Sequence, residues 1–250
     1  MNPAIQFRDV SYRINDTREL LHDLNLEIQS GETLVLLGRS GSGKTTTLKL
    51  INHLLTPSAG EITVNGKFTR DWDVIQLRRG IGYVIQDVGL FPHFTIARNI
   101  GLVPKIEHWP EARIQSRTKE LLQLVGLDSE IAARYPRELS GGQRQRAGVA
   151  RALAADPPIL LMDEPFGALD PITRAELQRE FLSLQKRLRK TVVFVTHDLR
   201  EALLLGTRIA FMEAGRLVTV RTPDDFMQSS EPLIAAYVNA FETSAPRGTS

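Results

Sequence analysis

Apolar and polar residues alternate over Ala4–Ile14, where Ile5, Phe7, Val10 and Tyr12 mark the apolar positions. That period predicts a half-buried strand. Leu24–Ile28 and Glu61–Val64 repeat the pattern, each closed by a turn pair, Ser30-Gly31 and Asn65-Gly66. Together they predict an antiparallel sheet near the start of the chain. Short unbroken apolar runs then recur at Leu34–Leu37, Ile159–Met162, Val192–Val195 and Ile209–Met212. Such runs predict strands buried on both faces, as in a parallel sheet covered by helices. Helical spacing covers Thr45–Leu55, Arg174–Leu188 and Leu199–Leu205, and the stretch from about Asp87 to Asp156 is mostly helical with no obvious strand. The expected fold is therefore α/β: a mainly parallel core, an N-terminal antiparallel β subdomain and an α-helical insert. The polar end, Ser244–Ser250 with Pro246 and Gly248, is expected to fray.

Composition narrows the function more than the fold. At 250 residues, 42% hydrophobic and 24% charged, the chain is an ordinary globular sequence of one to two domains. It has no cysteine, which excludes disulfides, thiolate metal sites and a cysteine nucleophile. Lys+Arg number 31 against 29 Asp+Glu, a formal charge of +2, and no dense basic stripe offers itself to nucleic acid. The densest stretch, Arg144-Gln145-Arg146 with Arg151, reads as a solvated helix face. No apolar run is long enough to cross a bilayer, and Met1–Val10 lacks the basic-then-apolar pattern of a signal peptide. A soluble, cytosolic protein is expected.

Three local patterns carry chemistry. Gly38-Arg39-Ser40-Gly41-Ser42-Gly43-Lys44-Thr45 fits G-x-x-x-x-G-K-[ST] at every fixed position, after an expected strand and before an expected helix. Its glycines let successive N–H groups curl around one anion, and the following helix adds its positive end. Lys44 can reach the β- and γ-phosphates of a nucleotide, and the Thr45 hydroxyl can ligate Mg²⁺. Thr45-Thr46-Thr47 is a poor helix opening, because β-branched residues lose side-chain freedom there. A local rule broken at that point suits a ligand site better than a plain glycine-rich turn with a solvated lysine. Second, the apolar run Ile159–Met162 ends in Asp163-Glu164. Asp163 is placed to hold Mg²⁺ and Glu164 to orient or deprotonate a water, although two acids before Pro165 could merely close a strand. Third, Leu139-Ser140-Gly141-Gly142-Gln143 opens a helix expected to run to about Ala155. Ser140 with Gln143 reads as a capping box, and the same two-glycine helix start can also receive an anion.

In chain order, phosphate loop, Leu139–Gln143 and then Ile159–Glu164, the three patterns resemble the ATP-binding subunit of an ABC transporter, a P-loop NTPase, from about Ala4 to Phe241. The resemblance implies roles for further residues. Tyr12 matches an aromatic that stacks on adenine, and Gln86 a glutamine that joins the metal and ATP site to the helical insert. Ala168-Leu169-Asp170 matches a loop crossing to a partner subunit, and His197 a histidine that contacts the γ-phosphate. By the same resemblance, ATP is held by Tyr12, by Gly38 to Thr46 of the phosphate loop, and by Ser140, Gly141, Gly142, Gln143 and Asp170. Mg²⁺ is held by Thr45, Gln86 and Asp163, while Glu164, His197, Lys44 and Gln86 serve hydrolysis. It further implies one ATPase domain over 1–243, in which 1–86 and 157–243 form the RecA-like core with the antiparallel subdomain. Residues 87–156 form the helical subdomain, and 244–250 a flexible tail.

The implied assembly is a head-to-tail homodimer. It docks on integral-membrane permease subunits near Gln86, at the inner face of the cell membrane, and works with a substrate-binding protein. Ile81–Ile100, with Gly89-Leu90-Phe91-Pro92-His93-Phe94-Thr95, is similar to the coupling region of importer subunits. Ile81–Asp87, Trp109–Asp128 and Pro165–Arg174 resemble bacterial importers of osmoprotectants such as glycine betaine, choline or carnitine. Many of those carry paired CBS domains after the ATPase. Here Met212 is followed only by Gly215–Val220, a short helical stretch and the tail, a departure from that pattern. Importers of amino acids or polyamines are the nearest alternative. Non-transport ABC ATPases and P-loop kinases suit the sequence less well, because the gap before Leu139 cannot hold a long coiled coil and a kinase has no use for Ser140–Gln143.

Overall fold

The computed structural model describes residues 3–15, 18–86, 88–167 and 169–244, with the side chains of 242–244 excepted. Ala168 and the expected tail beyond 244 lie outside them. The first strands form a long hairpin, β1 (Ile5–Asn15) and β2 (Arg18–Ile28). They are followed by β3 (Thr33–Leu37), β4 (Ala59–Val64), β5 (Lys67–Phe68) and β6 (Ile81–Val84). Later come β7 (Ile159–Asp163), β8 (Thr191–Thr196), β9 (Arg208–Glu213) and β10 (Arg216–Arg221). Helices α1 (Lys44–Ile51) and α2 (Val74–Arg79) precede a helical block of α3 (Ile96–Ile100), α4 (Leu102–Ile106), α5 (Glu111–Leu124) and α6 (Gly141–Ala152). The chain closes with α7 (Pro171–Leu188), α8 (Leu199–Leu205), α9 (Pro223–Met227) and α10 (Pro232–Ser244).

Two sheets result. The antiparallel one runs β2-β1-β4-β5, and the larger one β10-β9-β3-β8-β7-β6. In the larger sheet β9, β3, β8, β7 and β6 are parallel, and β10 pairs antiparallel with β9. The unbroken apolar runs explain its burial. Leu34, Leu36, Ile159, Leu161, Val193 and Val195 face the antiparallel sheet and α1 in one buried cluster. Their neighbours Val35, Leu37, Leu160, Met162, Val192 and Phe194 face the helices in a second. With a side-chain period of two, one strand serves both cores.

Several boundaries differ from the pattern reading. The helix expected to Leu55 stops at Ile51, because His53 takes a left-handed φ of 53° and the Leu54 and Leu55 amides both fold back to the Lys49 carbonyl. The helix after Ser140 ends at Ala152, where the Leu153 amide closes the last turn on Val149. The first hairpin extends further than its alternation suggests, with register shifts along β1. Two strands carried no clear signal: β6, four residues including Gly82, and β10, whose residues are nearly all half-buried. No helix among the described residues is long and apolar enough to cross a membrane.

Candidate functional site

Sheet order brings distant residues together. β3, β8, β7 and β6 are consecutive neighbours and parallel, so their C-terminal ends open on one edge. From those ends leave the Gly38 loop, His197, Asp163-Glu164 and Gln86. The register confirms the alignment: Leu37 lies beside Thr196, Asp163 beside Val195, and Val84 beside Met162. Ligands of parallel sheets bind at such an edge. A cavity of about 700 Å³ opens there, lined by Arg39, Ser40, Gly41, Gly43, Lys44, Thr45, Thr46, Gln86, Glu164 and His197. Arg18, Leu20 and Tyr237 complete the wall.

The loop is built to hold an anion. Gly43 has a φ of 101°, and Leu21 Cδ2 lies 2.5 Å from where a Cβ would stand. Gly43→Ala is therefore expected to cost about 1–3 kcal/mol through backbone strain and overpacking. Differential scanning calorimetry would read this as a melting temperature lowered by several degrees. Lys44 is buried, and its ammonium donates to the Gly38 and Arg39 carbonyls, both at 2.9 Å, so the side chain braces the loop from within. Burial pulls its pKa below the usual lysine value, against the opposing pull of Glu164, Asp163 and Glu213. Ser42 Oγ is buried and has no hydrogen-bond partner among the described residues.

Thr45 Oγ1 donates to Asp163 Oδ1 at 2.9 Å, joining the start of α1 to the end of β7. Burial pushes the Asp163 carboxyl up, and the Thr45 hydrogen bond opposes it. Burial, followed by the Asp163 charge, likewise pushes the Tyr83 phenol on β6 up to about 12. The Thr45–Asp163 oxygens are hard donors suited to Mg²⁺, and the orphaned Ser42 hydroxyl fits a cradle meant for phosphate. No group of three His, Cys, Asp or Glu among the described residues could hold a metal without help.

Glu164 and His197 form the other wall. His197 Nδ1 lies 3.1 Å from Glu164 Oε2. Glu164 is held at a φ of 45°, unusual for a non-glycine residue, with its amide bonded to the Val195 carbonyl. Its turn is anchored by Phe166, which is buried against Phe194 and Phe181 at centroid distances of 5.6 and 6.5 Å. Strain sustained by a buried anchor beside a carboxylate–imidazole pair is typical of functional turns.

Not every expected residue meets this cavity. Tyr12 is half-buried on β1 against the apolar cluster beneath the antiparallel sheet, and is not among the lining residues. Ser140, Gly141, Gly142 and Gln143 sit at the N-terminus of α6 and line no part of it. There Ser140 Oγ accepts from the Gln143 amide at 3.2 Å and Gln143 Oε1 from the Ser140 amide at 3.0 Å, the expected capping box. Gly142 is required by close approach, since a Cβ would stand 2.6 Å from Thr173 Cγ2 on α7. Asp170 caps α7, accepting from the Ile172 and Thr173 amides at 3.1 Å, and hydrogen bonds from Thr173 hold its carboxyl below the usual range. Leu169-Asp170 and the α6 start are thus neighbours of each other, and neither lines the phosphate-loop cavity. The structure adds Arg18, Leu20 and Tyr237, which no local motif marks. Only the hairpin and α10 bring them in.

Residues 21–167 match the model of a family described as ABC transporter. The chain belongs to that family. The choline transport ATP-binding protein OpuBA of Bacillus subtilis is 54% identical over 225 residues, 90% of this chain and 59% of its own length. The glycine betaine uptake system ATP-binding protein YehX of Escherichia coli is 51% identical over 219 residues, 88% of this chain and 71% of its own. The chain thus spans under two thirds of several of the curated family members it matches, 59% for OpuBA. Among solved structures, the dimeric ATP-binding cassette MJ0796 bound to ADP and Pi superposes with a TM-score of 0.79 at 34% identity, covering 88% of this chain and 98% of that one.

Proposed function

We propose that this chain is the ATP-hydrolysing subunit of an ABC importer, and that two copies bind ATP between them head to tail. The carrying observation is a divided site. The phosphate loop, Glu164, Gln86 and His197 gather at one cavity, with Asp163 hydrogen-bonded to Thr45 behind its wall, whereas the anion-competent start of α6 lies outside it with Ser140 and Gly141 exposed. Ser140–Gly142 of one copy then face the phosphates held by Lys44 of the other, with Asp170 at the crossing. ATP favours closure because its γ-phosphate touches both copies and ADP offers no such contact. Supporting this, a solved neighbour is described as a dimeric ABC transporter cassette.

Within one site, Lys44 and the loop amides from Gly38 to Thr46 bind phosphate, and Thr45, Asp163 and Gln86 would hold Mg²⁺. Bound Mg²⁺ supplies charge neutralisation on the phosphate oxygens. Glu164 takes a proton from the attacking water, and His197, fixed by Glu164, donates toward the γ-phosphate. Tyr12 is read as lying near the adenine end of the site. Residues 1–243 act as one domain, with 87–156 as its helical subdomain.

The proposed cargo is a quaternary-amine osmoprotectant, on the strength of relatives named for choline and glycine betaine. Permease subunits dock on the helical side near Gln86. The same helical block carries an apolar groove of about 660 Å³ between α3, α4 and α5, lined by Leu102, Ile114 and Leu122 together with Arg98, Lys105 and Lys119. Docking places the protein at the inner face of the membrane, beside a substrate-binding protein on the other. The test is direct. Purified chain with Mg²⁺ and ATP is expected to release phosphate and to dimerise with ATP but not ADP on size-exclusion chromatography. Absence of both binding and hydrolysis would refute the proposal. Loss of labelled choline or betaine uptake on deleting the gene would fix the cargo.

A further inference from the structure

His197 sits on a short turn between β8 and α8, and its side chain is 62% exposed. Glu164 Oε2 holds one ring nitrogen at 3.1 Å, and the rest of the aim of so exposed an imidazole comes from its backbone. One side of that turn is held from inside the molecule. Thr196 Oγ1 donates to Glu201 Oε2 at 2.6 Å and accepts from the Asp198 amide at 3.0 Å. Glu201 is itself buried and receives Gln178 Nε2 of α7 at 3.1 Å. This network fixes the residues before and after His197 but leaves its own carbonyl unsatisfied.

That carbonyl is taken by Tyr237 of α10, whose hydroxyl donates to it at 2.8 Å. The ring stands edge-on to Phe211 of β9 at 5.1 Å, and Phe211 meets Phe226 of α9 at 5.8 Å. The hydroxyl is therefore presented by a packed aromatic column rather than by a mobile chain end. Burial, then the Asp198 charge, pushes the phenol up to about 12, so it remains a donor at any working pH. A second tie joins α10 to the same turn, because the Arg200 guanidinium of α8 lies 5.2 Å over the Phe241 ring.

We propose that Tyr237 is a positioning residue for hydrolysis: its hydroxyl holds the His197 carbonyl, sets the tilt of the imidazole over the phosphate cavity, and makes α10 part of the hydrolytic unit. The inference rests on the reading that His197 serves the γ-phosphate. Tyr237 also lines the cavity, so a plain nucleotide contact is the competing role. The two roles leave different kinetic marks, since a contact made equally before and during reaction moves KM alone.

The experiment is steady-state and single-turnover ATP hydrolysis by the full chain carrying Tyr237→Phe, His197→Ala or both. Phenylalanine keeps the stack on Phe211 and removes only the hydroxyl. The expected loss in kcat for Tyr237→Phe is about three- to tenfold, the range of one hydrogen bond. KM for ATP should stay within about twofold, since binding is not what the bond serves. In the His197→Ala background the same change should cost nothing more, because its effect passes through His197. An unchanged kcat overturns the proposal, as does a raised KM with kcat intact, or an equal loss with His197 absent. A fall in melting temperature that accounts for the lost activity overturns it too. If His197→Ala alone leaves hydrolysis at full rate, the reading of His197 fails and this inference with it. If His197→Ala is slow and Tyr237→Phe is not, only the inference fails.

Discussion

Replacing Glu164 by Gln is expected to lower phosphate release by about 10²-fold or more while ATP still binds, the loss that removing a general base produces. The amide keeps the shape of the carboxylate, and its oxygen can still accept from His197 Nδ1, 3.1 Å away in the native pair. What disappears is the capacity to take a proton from water. The φ of 45° at this position and the Phe166 anchor beneath it do not depend on the charge, so folding should be untouched. On the proposed scheme, in which ATP closes the dimer and hydrolysis opens it, the variant should also accumulate as a nucleotide-bound dimer on size-exclusion chromatography. Turnover at the native rate would show that another group activates the water.

Lys44→Ala should fail one step earlier. The ammonium is the buried cation of the loop, and a charge-assisted bond from it to phosphate would correspond to about 10- to 10²-fold in affinity. Isothermal calorimetry should find ATP binding weakened by about that factor or lost, with hydrolysis falling in parallel. The substitution also strips the Gly38 and Arg39 carbonyls of their 2.9 Å donor, so circular dichroism and melting should accompany the titration. ATP affinity equal to the native value would remove Lys44 from the phosphate site. The two variants thus separate the reading into capture and cleavage: one binds without turning over, the other does not bind.

Legibility in the sequence followed the range of the interactions. The runs at Leu34, Ile159, Val192 and Ile209 announced doubly buried strands, because burial on both faces removes every polar position from five consecutive residues or so. The phosphate loop and the Ser140 capping box were equally plain, being set by contacts within a few residues, and Asp163-Glu164 was marked by the apolar run that it ends. The end of α1 was overrun because the apolar spacing continues through Leu54 and Leu55, while the left-handed turn at His53 has no obligatory residue. β6 escaped notice because its strand character comes from lying beside β7, not from its four residues. Tyr237 and Leu20 joined the cavity wall only through tertiary placement. Tyr12, by contrast, has the right residue type and a half-buried seat away from the lining, which the alternation of β1 alone could not reveal.

The helical block leaves the large sheet at the end of β6 and re-enters at the start of β7, its immediate neighbour at the sheet margin. Because the two strands run parallel, the exit at Val84 and the re-entry at Ile159 stand at opposite ends of that ladder, about 10 Å apart along the strands. The block is thus tied to both ends of the outermost ladder, and any reorientation of it would load that ladder before the interior strands. If a partner docks on the α3–α5 face as proposed, a push received there would pass through the block to the end of β6, where Gln86 lines the cavity.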